Sequence, residues 1–144
     1  MRWRGGALRA GWGRWLALAV AVGAAWAAGA AWAAGTDPDL ALALGAEGEA
    51  AQEEGDNSRA LGLYTRAIEL GTLSKDDLAG MYSNRGSAQK ALGRLEPALA
   101  DYDRAIALDP GLVIAYNNRG QALVEKGDLK RAVADYTQAL RLNP

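Results

Sequence analysis

Two pairs of adjacent carboxylates, Glu53-Glu54 and Asp76-Asp77, could in principle do acid-base work, and two arginines, Arg85 and Arg119, invite a functional reading as binding residues. Hydrolysis by a carboxyl pair needs two groups facing each other across a substrate, about 5–10 Å apart. Neighbours on a helix point different ways, so capping and solubility explain both acidic pairs better. The sequence of 144 residues has no Cys and no His. That excludes thiol and imidazole nucleophiles, a disulfide framework and the usual zinc sites, and leaves only carboxylates for any metal. There is no glycine-rich phosphate loop and no nucleophile elbow. No catalytic, cofactor-binding or metal-ligating residue is therefore expected.

The elements that would position these groups emerge from self-similarity. Tyr82 recurs as Tyr116, Asn84-Arg85-Gly86 as Asn118-Arg119-Gly120, Gly93 as Gly127, Ala98 as Ala132, Asp101-Tyr102 as Asp135-Tyr136, and Pro110 as Pro144, always at an offset of 34. A fainter copy lies upstream at an offset of 38, where Gly48, Gly55, Ala60, Tyr64 and Ala67 precede Gly86, Gly93, Ala98, Tyr102 and Ala105. The four extra residues fit a longer connection around Gly71 to Lys75.

Within each unit the spacing predicts helix, turn, helix. Ala98, Tyr102, Ala105 and Ile106 fall at i, i+4, i+7 and i+8 and share one stripe, which Ala132, Tyr136, Ala139 and Leu140 repeat. Gly93 and Gly127 stand between the stretches, where a left-handed residue ends a helix. Asn57 and Asp128 are placed to cap second helices, whereas Arg94 cannot. Asp37-Pro38 and Ser74 with Asp77 open the first helices. The expected helices are 38–54, 57–70, 75–92, 95–108, 112–126 and 129–142.

Tyr82-x2-Arg85-Gly86, Ala98-x3-Tyr102 and Pro110, with the copy Tyr116-x2-Arg119-Gly120, Ala132-x3-Tyr136 and Pro144, resemble the tetratricopeptide repeat (TPR). The resemblance implies an all-α right-handed solenoid of three helix-turn-helix hairpins: a degenerate repeat over 41–74, a second over 79–112 and a third over 113–144. Gly86 and Gly120 stand where the two helices of a hairpin approach, opposite Ala98 and Ala132, with Tyr102 and Tyr136 beside them. The family's leucine is replaced by Arg85 and Arg119, each followed 16 residues later by an aspartate, Asp101 or Asp135. A guanidinium entering a helix interface needs a fork-shaped acceptor, so structural ion pairs within or across units are expected.

The resemblance also implies a non-catalytic protein that holds a protein or peptide segment in a groove lined by the first helices. Helical spacing places Glu49, Gln52 and Glu53 there from the first unit, Ser83, Ser87 and Lys90 from the second, and Asn117, Gln121, Val124 and Glu125 from the third. Asn84 and Asn118 are placed to reach the backbone of a bound peptide, as asparagines do in members that grip carboxyl-terminal peptides. Those members also need several basic groove residues. Here Lys90 is nearly alone among Glu49, Glu53 and Glu125, so that narrower activity is not expected. The alternative is a structural subunit, self-associating or part of a membrane complex, with an empty groove. Stacked repeats normally need a polar cap. None follows the last stretch before Pro144, so Leu140 is expected to face water, and self-association, burial against a partner or a shortened gene product are the options.

All five tryptophans and Arg2, Arg4, Arg9 and Arg14 precede the first acidic residue, Asp37. Residues 1–14 are basic, Leu16 to Ala33 is uncharged, and Ala31-Trp32-Ala33 is a small-x-small site. This is the layout of a signal peptide cut after Ala33, or of an uncleaved anchor. Either places the rest outside the cytoplasm, with a bacterial periplasm as the expected compartment. Beyond residue 33 the chain carries 12 basic against 17 acidic residues, a net charge of −5. Nucleic acid is thereby a poor partner, since coating phosphate requires a concentrated basic surface.

Overall fold

The structure is a computed structural model that describes residues 37–144. The expected export segment, 1–33, lies outside the described residues. Six helices follow: α1 (Pro38–Glu53), α2 (Asn57–Glu69), α3 (Lys75–Ala91), α4 (Leu95–Leu108), α5 (Val113–Lys126) and α6 (Leu129–Leu142). Their ends fall within a residue or so of those expected from the repeat. Among the described residues no helix is long and apolar enough to cross a membrane.

Local chemistry explains each boundary. Asp37 caps α1 by accepting from the Asp39 backbone N–H, with Pro38 in the first turn, where a missing N–H is harmless. Ser74 caps α3 by accepting from Asp77 N–H, and its hydroxyl donates to the Asp77 carboxylate at 2.5 Å. Asp128 caps α6. The first unit differs from expectation: Asp56, not Asn57, caps α2 by accepting from Arg59 N–H at 2.9 Å, and Asn57 is the first helical residue. Gly55, with φ +83°, turns the chain one residue before Asp56 and so selects it over its neighbour. Arg94 precedes α4 without a side-chain cap, as expected. Gly93 and Gly127 make the tight turns inside the other two hairpins at φ +75° and +87°, a conformation that disfavours any residue with a Cβ.

The helices pair as three hairpins, α1 with α2, α3 with α4 and α5 with α6. A single register position sets the intrahairpin spacing. A Cβ placed on Gly48, Gly86 or Gly120 would stand 2.6–2.8 Å from the ring of Tyr64, Tyr102 or Tyr136 respectively. The first helix therefore lies directly on the tyrosine face, and Tyr64 and Tyr102 are fully buried there.

The core is shared between hairpins. Met81 and Ala88 of α3 pack with Leu44, Ala51, Ala60, Tyr64 and Ala67 of the first hairpin. Ala122 and Leu123 of α5 do the same for Ala98, Leu99 and Tyr102 of the second. First helices of successive hairpins touch each other, α1 with α3 and α3 with α5, while among the described residues second helices do not. The stack consequently bends toward the first helices, which makes their outer surface the concave one: a right-handed α-solenoid.

Candidate interaction groove

The concave face begins with what anchors its walls. Arg85 donates through Nε and Nη2 to both carboxylate oxygens of Asp101 at 2.7 and 2.8 Å. Arg119 grips Asp135 in the same fork at 2.8 and 2.7 Å, and its Nη1 reaches across the unit boundary to Asp103 at 2.7 Å. Asp101 is only 2% exposed, so its charge is acceptable only because the guanidinium matches it. The hydrogen bonds donated to Asp101 and Asp135 push both guanidinium pKa values further up, against the opposing effect of burial. Arg85 also lies 5.3 Å over the Tyr82 ring and Arg119 5.8 Å over Tyr116. Neither arginine points freely into the groove; both clamp one helix of a hairpin to the other, as the 16-residue spacing predicts.

A row of side-chain hydrogen bonds ties the first helices edge to edge. Asn84 Nδ2 of α3 donates to Glu49 Oε1 of α1 at 3.0 Å. Asn118 Nδ2 of α5 donates to Ser87 Oγ of α3 at 3.1 Å, and Lys90 Nζ donates to Gln121 Oε1 at 2.6 Å. The single proton of the Ser87 hydroxyl goes to the Ser83 carbonyl at 3.1 Å, so Tyr102, 3.2 Å away, donates its own to Ser87 Oγ. Tyr64 likewise donates to Gln52 Oε1 at 2.7 Å. Burial pushes both phenols up to about 12, helped by Glu49 near Tyr64 and Glu125 near Tyr102. Both hydroxyls are therefore donors set behind the groove floor.

Sequence spacing thus brings Glu49, Gln52, Asn84, Ser87, Lys90, Asn118 and Gln121 into one connected surface. Glu53, Val124 and Glu125 are exposed beside it, and Asn117 is half-buried on α5. Ser83 is a correction: at 1% exposed it is part of the wall, and its hydroxyl has no hydrogen-bond partner among the described residues. Asn117 occupies the same register in α5, yet remains half open. Ser87, one turn after Ser83 on α3, meets Asn118 of α5, whereas among the described residues no further first helix follows α5.

One part of the surface was not anticipated. Leu42, Gly45, Ala46 and Glu49 of α1 and Asp76, Asp77, Gly80, Met81 and Asn84 of α3 line an open cleft of about 290 Å³. The four residues of α1, and those of α3 apart from Asp76, follow an i, i+3, i+4, i+7 pattern, which was the available signal. The cleft has an apolar floor and three carboxylates on its rim. Around this cleft and along the hydrogen-bonded row, the carboxylates Glu49, Glu53, Asp76, Asp77 and Glu125 outnumber Lys90, which is already engaged by Gln121. The Oδ1 atoms of Asn84 and Asn118 accept no hydrogen bond from within the described residues. The face presents acceptors.

Family models described as "TPR repeat" and "Tetratricopeptide repeat" match residues 86–127 and 113–144. The comparison with curated proteins gives no match. Among solved structures, the Arabidopsis OM64 TPR domain is 31% identical with a TM-score of 0.69, over 74% of this chain and 85% of that one. The second TPR domain of human RPAP3, in complex with the HSP70 peptide SGPTIEEVD, is 31% identical with a TM-score of 0.67, over 75% and 88%. The first TPR of Spaghetti (RPAP3), bound to the HSP90 peptide SRMEEVD, is 28% identical with a TM-score of 0.69, over 76% and 83%.

Proposed function

This chain belongs to the tetratricopeptide-repeat family, and we propose that it is an exported, non-catalytic adaptor whose concave face holds an extended polypeptide segment rich in Lys or Arg. The observation that carries the reading is the sign of that face. The peptides named for the two RPAP3 domains end in Glu-Glu-Val-Asp, a segment that needs cationic or donor-rich walls. Here the corresponding surface offers carboxylates and unused carbonyl oxygens, with Lys90 held by Gln121. A basic side chain suits the cleft between α1 and α3. Its methylenes lie on Leu42 and Met81 while its charge meets Glu49, Asp76 and Asp77. Export rests on the basic, then uncharged, then small-x-small order of residues 1–33.

Selection from a random peptide library with the purified chain tests the ligand class. Enriched peptides should carry net positive charge, bind more weakly as salt rises, and lose about tenfold in affinity against Glu49→Lys, in keeping with the loss of a desolvated charge pair. Enrichment of acidic carboxyl-terminal sequences, or binding unaffected by Glu49→Lys, overturns the reading.

A further inference from the structure

The 34-residue register allows the same position to be compared with and without a neighbour. In the second hairpin Leu99 is 6% exposed and Leu95 is half-buried, because Ala122 and Leu123 of α5 pack with them, and Ile106 is half-buried as well. Their equivalents in the third hairpin are Leu129, Val133 and Leu140, which are 60%, 62% and 66% exposed. They retain the chemistry of an inter-repeat face without a repeat that covers it among the described residues.

The opposite end of the stack shows the complementary half. Ala122 of α5 is fully buried among Ala98, Leu99 and Tyr102 of α4, Ala115 is fully buried too, and Leu112 just before α5 is half-buried. Moving back 72 residues, the sum of the two repeat offsets, leads to Leu40, Ala43 and Ala50 of α1. The residue types are the same, yet all three are exposed.

Charge points the same way. Between the second and third hairpins, Lys126 of α5 meets Glu96 of α4 at 2.6 Å. Register carries Lys126 to Glu54 at the end of α1, and Glu96 to Lys130 of α6. Both signs are inverted, so a pair made from one of each is again complementary. Glu54 now has only an exposed contact with Arg59 at 3.7 Å, which holds it weakly.

We infer that copies of this chain stack head to tail, α6 of one on α1 of the next, so that the joint reproduces a repeat interface with its ion pair reversed. The contact is heterologous, because the two surfaces are different, and it adds copies in series rather than stopping at a two-fold dimer. It is independent of the concave face, which remains open along the assembly.

Light scattering coupled to size exclusion of the full chain, over a concentration series, should show mass rising beyond that of a dimer. Leu140→Glu should abolish the increase with helicity unchanged by circular dichroism, since Leu140 bears no part of the fold's own core. Glu54→Lys and Lys130→Glu should each weaken association about fivefold, the order expected for an exposed pair turned repulsive. The two single variants, mixed, should recover the series by alternating, because every joint between unlike copies then unites opposite charges. The double variant should recover it alone. Glu49→Lys should leave association untouched. A monomer at every concentration overturns the inference, as does association insensitive to both charge reversals. Sensitivity to Lys130→Glu alone would mean that α6 meets α6, and would overturn it equally.

Discussion

Arg85 and Asp101 illustrate how much a single register position can settle. The 16-residue spacing from arginine to aspartate was legible because it occurs twice, and because a guanidinium within a helix interface has few acceptable partners. What could not be read was that Arg119 also reaches 16 residues upstream, to Asp103, since this depends on how hairpins sit on each other. Asp101→Ala should lower stability in urea by about 3–5 kcal/mol, because it strands a partly buried guanidinium. Arg104→Ala removes an exposed group 3.4 Å from the same carboxylate and should change it by less than about 1 kcal/mol. Equal effects would mean that the two-point fork adds nothing over an exposed contact. Glycines divide in the same manner. Gly86→Ala forces a methyl to 2.8 Å from the buried Tyr102 ring and should destabilise by about 1–3 kcal/mol. Gly62→Ala meets nothing within 4 Å in the middle of α2 and should stabilise by up to about 1 kcal/mol through helix propensity. Thermal denaturation of the two variants checks the opposite signs.

At the scale of the element, helix limits were almost fully legible, because glycine at the turn and an oxygen-bearing cap leave little choice. The exception is instructive. Asp56 and Asn57 are both good caps, and only the position of the Gly55 turn decides between them. Ser83 and the α1–α3 cleft escaped for a related reason: the periodicity of one helix identifies its outward face, but not whether another helix covers that face. Ser83 was covered, while Asp76 and Asp77, read as capping residues, flank an opening. The second helices of the first and third hairpins have aspartate caps, and the second hairpin has Arg94 with no side-chain bond to the helix. Arg94→Asp should therefore place an acceptor over the first turn of α4 and raise the urea midpoint by the equivalent of about 1 kcal/mol. The same change at Lys130, in the first turn of α6, supplies no cap and gains only from the helix dipole, so it should raise the midpoint by less.

For the molecule as a whole, each core belongs to two hairpins, so stability passes from one repeat to the next rather than residing in any one. Tyr64 and Tyr102 make this coupling visible, since they occupy the same register in successive hairpins, and both are fully buried. Burial raises each phenol from its ordinary 10.0 to about 12. The folded chain thus holds these two protons more tightly than the unfolded chain does. Below about pH 10 both states are protonated, and the contribution of this difference is complete. Between about pH 10 and 12 the unfolded chain releases protons that the folded chain retains, so stability falls as pH rises, and the contribution is exhausted once the folded phenols themselves ionise. The expected outcome is alkaline unfolding in that window, in which helical ellipticity is lost together with a rise in tyrosinate absorbance from these two residues. Replacing both with phenylalanine should remove that part of the alkaline loss, at the expense of their bonds to Gln52 and Ser87. If tyrosinate from Tyr64 or Tyr102 forms while the helices stay intact, these phenols do not couple ionisation to the shared cores.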